Sequence, residues 1–384
     1  MTDGYDILAG KCLISRNEKQ RIYENEEYKF EIINCSKDGN KNNFEIQIEG
    51  EQEDNEWNIK DLNNGKYEVK MKLKVEGQYS TFVKFNGINI NSSPFQIQVF
   101  SKPKRRNYNE INQPKLTFGS NGNGIGQFDY PREITTDSNG DILVCDYNNH
   151  RIQIFDSEGR FISTFGSKGN QNGQFSSPFG ITVNSKGNII VSDRNNHRIQ
   201  MFDSEGKFIS AFGSKGNGNG NGQFNGPEGI CVDLSDRILV CEYGNDRIQI
   251  LDSEGNFIST FGSQGNENGQ FNHPRGITIN SKGNIIVSDS QNNRIQIFNS
   301  EGNFISKFGS YGNENGQFNY PYGICVDLND NIFVCDCSLS RIQIFNSNGE
   351  YITQFKVTCP MDITIDHNTQ NIIVSRNDNQ VSVF

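Results

Sequence analysis

Residues 165–211 read FGSKGNQNGQFSSPFGITVNSKGNIIVSDRNNHRIQMFDSEGKFISA, and Phe-Gly-Ser returns at Phe212. The same tripeptide stands at 118, 261 and 308, and Phe355 opens a degenerate sixth copy, so successive copies are 47, 47, 49, 47 and 47 residues apart. Each copy holds four short runs of alternating apolar and polar residues parted by Gly, Asn and Asp, which reads as four β-strands. Four strands cannot close a core alone, but copies set radially form the blades of a β-propeller. Pro131, Pro178, Pro227, Pro274, Pro321 and Pro360 mark six blade starts. The last copy stops at Phe384 after three strands, whereas 115–118 repeats a fourth strand ahead of the first copy. The two ends are therefore expected to pair in one blade, which removes free strand edges.

Comparison of the copies separates frame from variation. Asp146, Asp193, Glu242, Asp289 and Asp336 each precede an arginine (Arg151, Arg198, Arg247, Arg294, Arg341) by five residues, across a hairpin turn. In the sixth copy the acid becomes Arg376 and the arginine Gln380. The joint loss implies an ion pair inside each blade, since an orphaned buried charge is costly. Cys145, Cys241 and Cys335 alternate with Ser192, Ser288 and Ser375 at one position, and the second and fourth copies share Asn-Ser-Lys-Gly-Asn, which points to duplication of a two-blade block. A position that alternates Cys with Ser is read as a packed small side chain rather than redox chemistry.

The full chain has 384 residues, 36 basic and 46 acidic, with a net charge of -10. That balance argues against a basic nucleic-acid binder or a ligand of anionic membranes. No apolar run is long enough to span a bilayer, and the first ten residues lack a signal-peptide pattern, so a cytoplasmic (or nuclear) protein with reduced thiols is expected. Nine cysteines and four histidines show no zinc spacing, and Cys335-Asp336-Cys337 is the nearest approach to a cluster. Asp137 to Asp141 are read as a turn rather than a calcium loop. The glycine-rich run 216–223 is read as a loop between blades, not a phosphate loop. No catalytic motif, cofactor or metal site is read, so the chain is expected not to be an enzyme.

Alternating runs at 28–33, 44–48, 67–73, 79–85 and 95–99 predict an all-β sandwich ahead of the repeats. The boundaries expected are a sandwich at 1–100, a basic linker at 101–114 with Lys102, Lys104, Arg105 and Arg106, and a propeller at 115–384. Leu62-Asn-Asn-Gly-Lys-Tyr-Glu-Val, Gly77-Gln-Tyr79 and Ser93-Pro-Phe-Gln-Ile-Gln-Val99 resemble the immunoglobulin-like filamin repeat. Pro-x-Gly-Ile followed by Val-Ser-Asp-x-x-Asn-His-Arg-Ile-Gln at 191–200 resembles the NHL repeat. The pair resembles the C-terminal half of tripartite-motif NHL proteins. Those proteins carry a RING, B-boxes and a coiled coil ahead of it, for which residues 1–11 leave no room, so ligase activity is not carried over to this chain.

The loops between blades and those between second and third strands emerge on one face, where function in a propeller resides. Around that ring fall Tyr130, Arg132, Tyr147, Phe179, Arg194, Glu228, Tyr243, His273, Arg275, Tyr320, Tyr322 and Asn377. The acids of the Asp-Ser-Glu-Gly turns fall on the opposite face. Aromatics among arginines suit a protein partner. They also suit unpaired RNA bases, as in single-stranded RNA recognition by some NHL propellers, but Glu228 and Glu242 would repel phosphates. The first reading is a non-enzymatic adaptor for a protein partner, with a ubiquitin ligase borrowed in trans; the second is single-stranded RNA binding. No DNA or membrane partner is expected.

Overall fold

The computed structural model forms two compact units, Met1–Arg105 and Arg106–Phe384. It describes the strands of the first unit named below and, past them, residues 107–384 other than 112, 214–219 and 367. In the first unit one sheet orders Leu13–Arg16, Glu27–Ile33, Lys66–Lys72 and Glu56–Asn63. The other orders Ile22–Tyr23, Phe95–Phe100, Gly77–Phe85 and Phe44–Glu49, with Ile88–Asn89 on Gly77–Phe85. Val69, Met71 and Val83 are buried while Asn58 and Lys60 are exposed, the alternation of sheets with one packed face. The five strands read from sequence are all present. Leu13–Arg16, Ile22–Tyr23, Glu56–Asn63 and Ile88–Asn89 are additional. Cys12, Cys35 and the basic residues 102–106 lie outside the described residues.

The second unit is a six-bladed propeller. Blade 1 orders Pro131–Thr136, Ile142–Asp146, Arg151–Phe155 and Phe161–Phe165 from the axis outward, and the next four blades repeat it from Pro178, Pro227, Pro274 and Pro321. Blade 6 consists of Pro360–Ile365, Ile372–Arg376 and Gln380–Val383, completed by Leu116–Phe118 with Leu116 opposite Val383 and Phe118 opposite Val381. This is the closure the repeat arithmetic requires. Part of the stretch read as a linker, residues 108–111, packs on the propeller instead. Tyr108–Glu110 form a 3-10 turn on the propeller, Tyr108 packs edge-on against Phe333 at 5.1 Å and its hydroxyl donates to Asp327, and Ile111 joins the core between blades 5 and 6.

The Cys/Ser alternation corresponds to two kinds of joint between blades. Cys145, Cys241 and Cys335 are fully buried in the apolar layers between blades 1 and 2, 3 and 4, and 5 and 6. The serines face the other three joints and bond across them. Ser192 Oγ donates to the carbonyl of Glu228 (2.7 Å), Ser288 Oγ to that of Tyr322 (2.5 Å) and Ser375 Oγ to that of Arg132 (2.5 Å). At the far end of two of these joints, Ser185 and Ser281 bond Asp236 and Asp330. The expectation of a merely small residue thus holds for Cys and is incomplete for Ser, whose hydroxyl satisfies backbone groups that the packing buries.

Candidate recognition site at the channel mouth

Each inner strand begins at the end of the axis to which its neighbour returns, because Pro131 lies opposite Asp146 and the other blades keep this register. The residue after each blade-opening proline and the residue after each frame acid therefore meet at one mouth. The frame beneath is the predicted ion pair. In blade 1, Asp146 accepts from Arg151 Nε (2.8 Å), Asn149 Nδ2 (2.9 Å), Gln153 Nε2 (3.1 Å) and the backbone N–H of Asp129 (2.8 Å). The Arg–acid pair recurs at 2.8, 2.5, 2.7 and 2.8 Å in blades 2 to 5. Burial nevertheless pushes the carboxyls of Asp146, Asp193, Asp289 and Asp336 above their usual range, so desolvation outweighs the pairing. In blade 6 Arg376 instead pairs with Asp378.

On this frame the mouth carries unlike side chains. Glu228, 1% exposed, accepts from Arg194 Nε at 2.7 Å and from Arg275 Nη1 at 2.8 Å. The hydroxyl oxygen of Tyr322 accepts from Arg275 Nη1 (2.5 Å) and Arg132 Nη1 (2.9 Å). Burial raises the Tyr322 phenol, although both arginines oppose the shift, so it stays neutral. Arg132 lies 5.1 to 5.7 Å from the ring centres of Tyr130, Tyr147, Phe179 and Tyr322. Arg275 lies over Tyr243, Tyr320 and Tyr322, and Tyr243 stacks on His273 with ring centres 4.0 Å apart.

Of the twelve ring residues singled out from sequence, all but Asn377 meet in this cluster of arginines, rings and Glu228, but they do not present themselves alike. Tyr130 is 42% exposed, whereas Phe179 and Tyr322 are buried, which closes their faces to stacking by an incoming base. Glu228 is a tie between two arginines rather than a free charge. Glu242 is not on this face: it is fully buried as the partner of Arg247, because it occupies the frame position of its blade. Met361, beside Arg132, and Cys337, beside Met361, join the mouth without having been singled out for it.

Below the mouth the axis holds a cavity of about 310 Å³ lined by inner strands, with Glu133 and Asp362 in its wall. Both stand where the other blades have the glycine of Pro-x-Gly, in Pro131-Arg-Glu and Pro360-Met-Asp, a signal visible in the sequence. Elsewhere that glycine is required, since a Cβ on Gly229 would lie 1.9 Å from the carbonyl oxygen of Arg275. Glu133 accepts from the Ile181 N–H (3.1 Å) and Asp362 from the Ile134 N–H (2.9 Å). Burial raises both carboxyls, that of Asp362 to about 7, and their proximity raises Glu133 further. Among the described residues no group of three or more His, Cys, Asp or Glu is placed to hold a metal ion.

The family model of the Filamin/ABP280 repeat matches residues 8–96, and that of the NHL repeat matches 128–155, 175–202, 224–251, 271–298 and 318–345. The chain is 37% identical over 103 residues to the E3 ubiquitin-protein ligase TRIM71 of Mus musculus, a match of 27% of this chain and 12% of that protein. It is 38% identical over 91 residues to protein lin-41 of Caenorhabditis elegans (23% and 8%) and 54% identical over 44 residues to protein brain tumor of Drosophila melanogaster (12% and 4%). The matches thus take in a small part of each relative. Among solved structures, a streptogramin B lyase superposes with a TM-score of 0.50 at 14% identity, covering 89% of this chain and 98% of the lyase. The virginiamycin B lyase of Staphylococcus aureus gives 0.50 at 16% identity over 88% and 98%. These show the propeller fold alone.

Proposed function

We propose that this chain, which belongs to the proteins joining a filamin repeat to NHL repeats, is a binding scaffold whose propeller mouth recognises a protein partner. The observation that carries this reading is Glu228: by binding Arg194 and Arg275 together it takes two of the three mouth arginines that would otherwise make a continuous track for phosphates. The propeller's residues 115–384 are also acidic overall, 28 acids against 19 basic residues, which disfavours a polyanion. Rigid rings of Tyr and Phe around arginine are the composition of protein hot spots. The relatives named as ubiquitin ligases suggest one use, presentation of a bound protein to a ligase acting in trans.

Binding of the full chain to a randomised single-stranded RNA pool across a salt series, beside panning against random peptides displayed on phage, tests this. Peptides enriched by the wild type and lost in an Arg132, Arg194 and Arg275 triple alanine variant support it. Saturable, salt-sensitive RNA binding lost in the same variant would replace it with the RNA reading.

A further inference from the structure

We infer that the mouth is a carboxylate pocket, with Arg132 as the anchor for an acidic group of the protein partner; this rests on the protein-binding reading above. Three arginines, Arg132, Arg194 and Arg275, face one carboxylate there. Glu228 takes Arg194 and Arg275, while Arg376, at the frame position of blade 6, pairs with Asp378. Arg132 has no ion-pair partner among the described residues; its polar contacts are the Tyr322 hydroxyl (2.9 Å) and Met361 Sδ (3.9 Å). The nearby acids are engaged elsewhere, Glu133 with the Ile181 N–H and Asp362 with the Ile134 N–H.

A second observation is independent of charge. Among buried side-chain atoms without a hydrogen-bond partner are the Nε of Arg132 and Arg275, both from the mouth. Buried donors in folded proteins are nearly always satisfied, so two orphaned guanidinium donors against the same Tyr322 ring mark a place where acceptors are missing. A carboxylate supplies two acceptor oxygens in the planar geometry a guanidinium prefers. Both arginines are partly exposed, and Arg132 is the one whose charge has no carboxylate partner, which leaves it open to a ligand. It is also held ready: four aromatic rings fix its guanidinium, and Ser375 Oγ fixes its carbonyl. Such preorganisation lowers the entropy lost on binding. A carboxylate at the tip of a side chain, or at a chain terminus, enters a ring-walled mouth more readily than a phosphodiester flanked by two riboses.

Panning a library of random dodecapeptides with free C-termini against the full chain, followed by fluorescence polarisation, tests the pocket. The expected result is enrichment of Asp or Glu at one fixed position, or of binders that fail when the C-terminus is amidated; these two outcomes separate the sources of the carboxylate. Affinity should fall tenfold or more in Arg132→Gln, tenfold or more when the peptide acid becomes its amide, and no further when both changes are combined. Arg132→Lys should recover part of the loss. The peptide-side substitution keeps the test decisive if Arg132→Gln lowers the melting temperature. Enriched peptides that share no acid, or that bind Arg132→Gln equally, overturn the pocket while leaving the protein-binding reading in place. Enrichment of no peptide together with saturable RNA binding overturns both.

Discussion

His150 of blade 1 accepts the backbone N–H of Ser177, the residue before the first proline of blade 2, on its Nδ1 at 2.9 Å. The device recurs around the ring with other acceptors: His197 for Gly226, Asp246 for His273, Asn293 for Tyr320, Ser340 for Cys359 and Asn379 for Tyr130. Every acceptor sits at a left-handed φ between 51° and 65°, at the tip of the turn between second and third strands. The signature histidine is thus one of several side chains able to clasp the next blade. His150→Asn should fold with nearly unchanged stability, whereas His150→Leu should lose about 1 kcal/mol, the net worth of one hydrogen bond. Denaturant unfolding of both variants checks this.

The same clasp has a pH dependence. Nδ1 accepts only when unprotonated at that atom, and burial, assisted by Lys168, lowers the His150 pKa from its ordinary value. The folded state therefore binds fewer protons than the unfolded chain. The contribution is present above the unfolded value of about 6.5 and is lost as the pH falls through the lower folded value. Thermal melts between pH 5 and 8 should show a shallower acid limb in His150→Asn than in the wild type. Parallel limbs would mean that His150 does not contribute to the acid limb.

The buried pairs behave differently from surface ion pairs. Asp289 is fully buried and holds Arg294, Gln296, Asn292 and the Asn272 N–H at once. Asp289→Ala should cost about 3–5 kcal/mol, because it strands the Arg294 charge. Combining it with Arg294→Gln should cost less than Asp289→Ala alone, as blade 6 suggests by carrying Gln380 at the arginine position. A double-mutant cycle by urea unfolding measures the coupling.

Ser288 ties the frame to the mouth, since its hydroxyl accepts from the Gly276 N–H at 2.8 Å and donates to the Tyr322 carbonyl at 2.5 Å. Ser288→Ala leaves both groups buried and should cost about 1–3 kcal/mol. Cys241→Ser, placed in an apolar joint, should also destabilise, because there the hydroxyl meets the side chains of Leu239, Ile248 and Ile277. If Ser288→Ala melts with the wild type, the hydroxyl is dispensable and the alternation reflects size alone.

These residues show how far the sequence was legible. A strict period exposes strand count, closure and which positions share a face, because backbone topology depends on pattern alone. The Asp–Arg pairs were legible because both partners vanish together in blade 6. Rotamers and partners were not: Phe179 and Tyr322 fold inward beneath Arg132, and Glu228 spans from blade 3 to blades 2 and 4. Such contacts join copies, so comparison between copies cannot reveal them. Tyr108 and Ile111 were hidden among polar neighbours, and only their packing on blades 5 and 6 shows that they belong to the propeller. The glycine replaced at Glu133 and Asp362 was visible as a broken pattern, but its meaning needed the axis.

That acid pair sets the last prediction. Burial raises the Asp362 carboxyl to about 7, and the groups facing the pair include Glu228 and the N–H groups of Ile134, Ile181, Ile230 and Ile363. A folded pKa above the unfolded one means that the folded state binds more protons. This contribution is full below the unfolded value of about 3.9 and is lost as the pH rises through 7. The sign is opposite to that of His150, so the two act on different limbs of one stability profile. Asp362→Asn keeps an oxygen for the Ile134 N–H and removes the titration. It should be more stable than the wild type at pH 8 by a few kcal/mol, since each tenfold change in an acid's dissociation constant on folding is worth about 1.4 kcal/mol, with the gap narrowing toward pH 5. Chemical unfolding of both chains at pH 5, 6.5 and 8 measures the gap, and a gap independent of pH would mean that the Asp362 carboxyl does not titrate in this range.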